Sequence, residues 1–116
     1  MNPREMYFSN HWNTERQDRA EEIDYILNND WGVVVCKAWD YRHNNWQFIT
    51  STGLMFVMDA CELFIVTMYI PRKEQFERVF RNAGMKPSKE LVRRSTANHL
   101  KWKVIEENTK NQLKSA

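Results

Sequence analysis

The chain has 116 residues, of which 42% are hydrophobic, 28% charged and 13% aromatic, with 17 Lys+Arg against 15 Asp+Glu. That length suits one domain built on one core, and the aromatic content excludes disorder of the whole chain, since disordered chains lack the apolar side chains that offset ordering entropy. No apolar run approaches the roughly 18–20 residues of a membrane helix, and the opening Met1–Glu5 has no signal-peptide core. Cys36 and Cys61 make neither a zinc site nor a disulfide framework, and both are expected to be buried structural thiols. A soluble, cytoplasmic protein follows as the expectation.

Asn13–Gln17 reads as a helix start, with Thr14 at the N-cap and Gln17 three residues on, the spacing of a capping box. Ala20, Ile23, Ile26 and Leu27 then recur at three- and four-residue intervals and form one apolar stripe. Asn28-Asn29-Asp30 ends it, because these residues favour turns. A first helix is predicted over about Thr14 to Leu27, with a start as early as Ser9.

Strand signals follow. Val33–Trp39, Trp46–Ser51, Leu54–Met58 and Leu63–Ile70 are short, β-branched or aromatic segments separated by turn formers at Tyr41–Asn45, Thr52-Gly53 and Asp59–Glu62. Short connections imply an antiparallel meander, since a parallel crossover needs a dozen or more residues. In the last strand, alternation puts Phe64, Val66, Met68 and Ile70 on one face and Leu63, Ile65, Thr67 and Tyr69 on the other. The wholly apolar face is expected to meet the helices, and the face with Thr67 and Tyr69 to carry polar chemistry.

Pro71 ends the strand. Phe76, Val79 and Phe80 open a second helical pattern, and Gly84 stands where a left-handed C-cap glycine belongs. Pro87–Glu90 starts a third helix, whose apolar residues are loosely spaced, so that either a bend near Ser95-Thr96 or burial of only part of its length is expected. Residues 109–116 are polar and expected to fray. The predicted class is α+β: an N-terminal helix and four-stranded antiparallel meander over residues 9–71, then two basic C-terminal helices over 72–108.

Charge is distributed unevenly. Residues 1–60 hold 5 Lys+Arg and 9 Asp+Glu, whereas residues 61–116 hold 12 and 6. An anionic partner for the C-terminal third is one consequence, with Arg93, Arg94, Lys101 and Lys103 as its contacts; a solvated helical face is the other reading. No phosphate-binding glycine loop, dinucleotide fingerprint, metalloprotease motif or nucleophile elbow occurs, and neither a cofactor nor a metal is expected.

The remaining chemistry is a metal-free set of bases and cations: His11, Arg16, Arg19, Lys37, Arg42, His43, Thr67, Tyr69 and Arg72. Cleaving RNA without metal needs a base for the 2′-hydroxyl, a cation for the phosphorane and an acid for the leaving oxygen. His suits either proton role, and the planar Arg fork matches two phosphate oxygens.

Ser9-Asn10-His11 followed by Arg16, Arg19 and the Ile23/Ile26/Leu27 stripe resembles the opening helix of small RelE-like proteins. Thr52–Asp59 with Leu63–Pro71 is similar to their last two strands, where an apolar strand carries a Thr and an aromatic before a Pro or loop. The wider group is the barnase/EndoU/colicin/RelE-like ribonuclease superfamily, which includes toxins and phage-borne nucleases. Over residues 9–71 the resemblance implies a helix on an antiparallel sheet and metal-independent RNA cleavage. It casts His11 as a proton-transfer residue, Arg19 and Lys37 as phosphate contacts and Thr67 as a substrate or phosphate contact. His11, Lys37 and Thr67 are thus the candidate catalytic set, expected to meet in one hollow, with Arg19, Arg42, His43, Tyr69 and Arg72 as candidate substrate contacts.

Two alternatives stand beside the nuclease. Trp39, Tyr41 and Trp46 surround the first hairpin, and exposed Trp, Tyr and Arg are typical interface anchors. A phage or mobile-element protein that binds and inhibits a host protein or nucleoprotein through this hairpin and the basic helices would carry such a sequence. Homodimerisation through an exposed strand, with the basic helices on DNA, is the third reading.

Overall fold

The computed structural model describes Phe8, Ser9, Thr14 and residues 17–115, with side chains through Asn111. Its elements are α1 (Ala20–Leu27), β1 (Val34–Asp40), β2 (Asn45–Thr50), β3 (Met55–Asp59), β4 (Ile65–Tyr69), α2 (Lys73–Asn82) and α3 (Lys89–Ser115). The α+β class and the antiparallel meander hold, with strand order β1-β2-β3-β4.

Helix ends follow local chemistry. Arg19, not Thr14, occupies the N-cap of α1, although Thr14, Gln17 and Asp18 are also helical. Ser9 does not start a helix; its N–H donates to the Ile65 carbonyl at 2.9 Å, and Phe8 bridges Ile65 in parallel along the β4 edge. Gly84 at φ +68° closes α2, where the Met85 N–H reaches the Phe80 carbonyl at 2.9 Å in a Schellman arrangement. The Ser88 hydroxyl accepts the Leu91 N–H at 3.1 Å and caps α3. That helix runs unbroken through Ser95-Thr96 to Ser115, so the 109–115 segment is helical. It buries only part of its length: Leu91, Ser95 and Trp102 are sealed, while Leu100 and Val104 stay exposed.

Both faces of the sheet are covered. On one, Phe48, Phe56, Met58, Ile65 and Met68 pack under Ile23 and Ile26 of α1, joined by Trp31, Ile70 and Trp102. On the other, Cys36, Ala38, Ile49, Met55 and Val57 pack under Phe76, Val79 and Phe80 of α2 and Leu91 of α3. Met68 and Ile70 lie opposite Tyr69, as expected for the last strand, but Ile65 and Val66 have exchanged sides. Met58 pairs with Ile65 but Val57 pairs with Thr67, so Val66 is an extra residue, a β-bulge. The bulge shifts the alternation by one, which sends Ile65 to the core side of Met68 and Val66 to the side of Tyr69. Cys36 is buried, and desolvation pushes its thiol pKa up; Cys61 lies exposed in the β3–β4 turn, contrary to expectation.

α3 reaches both cores by crossing the end of the sheet at the β2–β3 turn. Arg94 donates to the Ser51 carbonyl at 3.0 Å and Asn98 to the Thr52 carbonyl at 2.7 Å. Gly53, at φ +87°, sits against the Ser95 backbone, where an added Cβ would lie 2.9 Å from both Cα and N. Gly53→Ala combines left-handed strain with a backbone clash, so a loss of about 2–4 kcal/mol is expected in urea unfolding. An unchanged midpoint would show that α3 does not bear on this turn.

Candidate functional site

Arg19 is the pivot of the site. From the N-terminus of α1 its guanidinium reaches the β4 edge, where Nη1 donates to Thr67 Oγ1 at 3.1 Å and Nη2 to the Met68 carbonyl at 2.9 Å. Its Nε pairs with Glu22 at 2.9 Å, and the group lies 4.7 Å from the Tyr69 ring centroid. An edge strand leaves carbonyls unpaired, and a planar fork that fills one while stacking on an aromatic is an arginine property. Thr67 is only 4% exposed, so its hydroxyl stands behind Arg19 rather than on the surface.

Beyond Arg19 a cleft of about 520 Å³ opens between α1, the end of β4 and α2. Tyr69, Arg72, Gln75 and Arg78 line it with Arg19 and Glu22. Gln75 and Arg78 are three apart on α2 and so are surface neighbours, and Arg72 precedes them as the extended N-cap residue after Pro71. Arg72 and Arg78 are exposed and make no ion pair among the described residues. The carboxylates present are Glu22, engaged by Arg19, and Glu74 in the first turn of α2. Two uncommitted guanidinium groups beside a tyrosine and a carboxamide form a polar recess that matches an anion with several oxygen acceptors.

The expected meeting of His11, Lys37 and Thr67 does not take shape. His11 lies outside the described residues. Lys37 is on β1 and Thr67 on β4, the two edge strands, three inter-strand spacings or about 14 Å apart. Lys37 instead pairs with Glu62 at 2.7 Å and lies 4.3 Å from the Trp46 ring centroid, which ties β1 to the β3–β4 turn. Of the candidate substrate contacts, Arg19, Tyr69 and Arg72 share the cleft, and Thr67 adjoins it through Arg19. Gln75 and Arg78 also line the cleft and are not among the sequence candidates.

Arg42 and His43 occupy the β1–β2 turn at the far corner of the sheet. Asp40 organises it: one carboxylate oxygen accepts the Arg42 N–H at 3.0 Å, and the other meets His43 Nδ1 at 2.8 Å and Gln47 Nε2 at 3.2 Å. Burial alone would raise the Asp40 pKa, but the His43 hydrogen bond and charge and the Arg42 N–H together hold it below the usual carboxylate value. A depressed native pKa gives stability that is present above the unfolded value of about 3.9 and lost as pH falls through the native one. Asp40→Asn is therefore expected to cost about 1 kcal/mol at pH 7, with the gap from wild type closing below about pH 4; a gap constant down to pH 2 would contradict this.

The basic helix is divided in use. Arg94 is held by Ser51 and Glu90, whereas Arg93, Lys101 and Lys103 are exposed, with Lys101 and Lys103 flanking buried Trp102. Among the described residues no group of three or more His, Cys, Asp or Glu is placed to hold a metal, and no helix is long and apolar enough to cross a membrane. Comparison of the chain with family models, curated proteins and solved structures gave no match.

Proposed function

We propose that the protein binds RNA through the arginine cleft between α1, β4 and α2. The observation that carries this reading is the pair Arg72 and Arg78, exposed and without ion-pair partners among the described residues, facing a recess whose third arginine is locked against Thr67, Met68 and Tyr69. A fixed cation beside two free ones suits a phosphodiester, whose non-bridging oxygens accept bidentate hydrogen bonds. Tyr69 holds the Arg19 guanidinium from beneath, which keeps that cation in place beside the other two.

The test is a titration of labelled single-stranded RNA with wild type and the Arg72→Ala/Arg78→Ala double variant, run in chelator. Weakened binding by the variant supports the reading, and equal binding by both contradicts it. The resemblance to RelE-like proteins supports a cleavage role at the same place, since Arg19 and Thr67 adjoin there. Cleavage of RNA that disappears in His11→Ala adds that chemistry; intact RNA leaves a binding protein.

A further inference from the structure

Two exposed surfaces set apolar side chains beside charge. At the β1–β2 corner, Trp39 packs against Tyr41 and Trp46 with ring centroids 6.4 and 5.0 Å away. Lys37 covers the Trp46 ring, and Asp40, Asp59 and Glu62 stand against Lys37 and Arg42, so that corner singles out no partner. The outer face of α3 does. Residues 91–105 hold four Lys or Arg and no Asp or Glu.

Leu91, Ser95 and Trp102 are the buried side of this stretch, whereas Leu100 and Val104 are each 59% exposed. Arg93, Ala97, Leu100, Val104 and Glu107 follow at alternating steps of four and three, which makes one stripe along the helix opposite Trp102. Lys101 and Lys103 flank the stripe. With Arg93 they are exposed and make no ion pair among the described residues. Arg94 is turned to Ser51 and Glu90, and Glu106 is held by Lys110, which leaves Glu107 at the far end of the stripe as its one carboxylate.

Aliphatic side chains at steps of four and three on a helix take a second helix, whose own ridge settles along them. Charge decides which helix. One with apolar residues at that spacing and carboxylates beside them covers Leu100 and Val104 while it meets Arg93, Lys101 and Lys103 with the opposite sign. A second copy does not fit. The two-fold axis that sets Leu100 against Val104 of the other copy also sets Lys101 against its Lys103. RNA fits less well, because Trp102 faces inward and the aliphatic pair offers a base neither a ring nor a hydrogen bond.

We propose that the outer face of α3 binds an acidic amphipathic helix of a partner protein, with Leu100 and Val104 as the apolar anchor and Arg93, Lys101 and Lys103 as the ion-pair contacts. No residue of α3 lines the arginine cleft, so the proposal goes beyond the RNA reading and stands apart from it.

The probe is a labelled helical peptide of about 21 residues, three heptads, with Leu at the four-and-three positions and Glu beside them. Wild type is expected to bind it, and Leu100→Gln/Val104→Gln and Lys101→Glu/Lys103→Glu each to weaken binding about tenfold or more. The charge-reversed variant is expected to gain binding of the same peptide with Lys in place of Glu, which an unfolded protein would not do. Single-stranded RNA affinity is expected to change by less than about twofold in Leu100→Gln/Val104→Gln. No binding of the Glu peptide by wild type, or equal binding by wild type and both variants, overturns the proposal. So does RNA binding that Leu100→Gln/Val104→Gln abolishes, or a wild-type dimer in sedimentation that the same variant dissolves. Loss of RNA binding in Arg72→Ala/Arg78→Ala bears on the cleft alone.

Discussion

Phe56→Ala is expected to lower the unfolding free energy by about 3–5 kcal/mol, the largest single-residue effect anticipated here. Phe56 lies on β3, one of the two interior strands, and is only 2% exposed. It stacks on Phe48 with centroids 4.7 Å apart and planes 4° from parallel, and presents an edge to Trp31 at 5.8 Å. Its neighbours have little freedom to fill the space it would leave. Trp31 is anchored by its indole N–H to the Ile26 carbonyl at 3.1 Å, and Phe48 is held between paired strands. A cavity that cannot collapse places the cost toward the upper end of the range. Domains of this kind have about 5–15 kcal/mol in total, so the urea midpoint should fall by a third or more. A loss below about 1 kcal/mol would mean that the α1-side core is not packed as described.

The second large effect is functional. Removing Arg72 and Arg78 together is expected to weaken single-stranded RNA binding about 30- to 100-fold at moderate salt, because each exposed charge-assisted contact contributes about 1–1.4 kcal/mol. Both side chains are exposed and make no ion pair among the described residues, so the variant should keep the wild-type unfolding midpoint. That separation matters, because Arg19→Ala would remove the bonds to Thr67 and Met68 and confound stability with binding.

Much of the fold can be read from local chemistry. Ser88, Gly84 and Pro71 punctuate the helices where their capping and breaking properties require, and the short turns dictate an antiparallel meander. The bulge at Val66 is not legible, since an extra residue in an apolar strand has no composition of its own, yet it exchanges the sides of Ile65 and Val66. The continuity of α3 was hidden for a related reason. Leu100 and Val104 look like core residues but are exposed, because the helix leaves the sheet after turning its end and buries Trp102 alone in that stretch.

The cleft was partly legible. Arg19, Tyr69 and Arg72 are candidates by residue type, and they share one recess because β4 runs directly into Pro71 and α2. Arg78 shares the recess with Arg72 because α2 carries it past the N-cap and alongside the end of β4, a placement that local spacing does not show. Lys37 is grouped with them by residue type and by the RelE-like resemblance, neither of which carries strand order. Its distance from Thr67 is a property of strand order, in which a simple meander sends the first and last strands to opposite edges.

The account turns on whether the cleft guanidinium groups meet phosphates. The most direct measurement is the salt dependence of single-stranded RNA affinity for wild type and Arg72→Ala/Arg78→Ala. For single strands each neutralised phosphate contributes about 0.7 to the slope of log affinity against log salt. The variant is therefore predicted to have a slope shallower by about 1.4. Parallel slopes for the two proteins, with equal affinity, would contradict it.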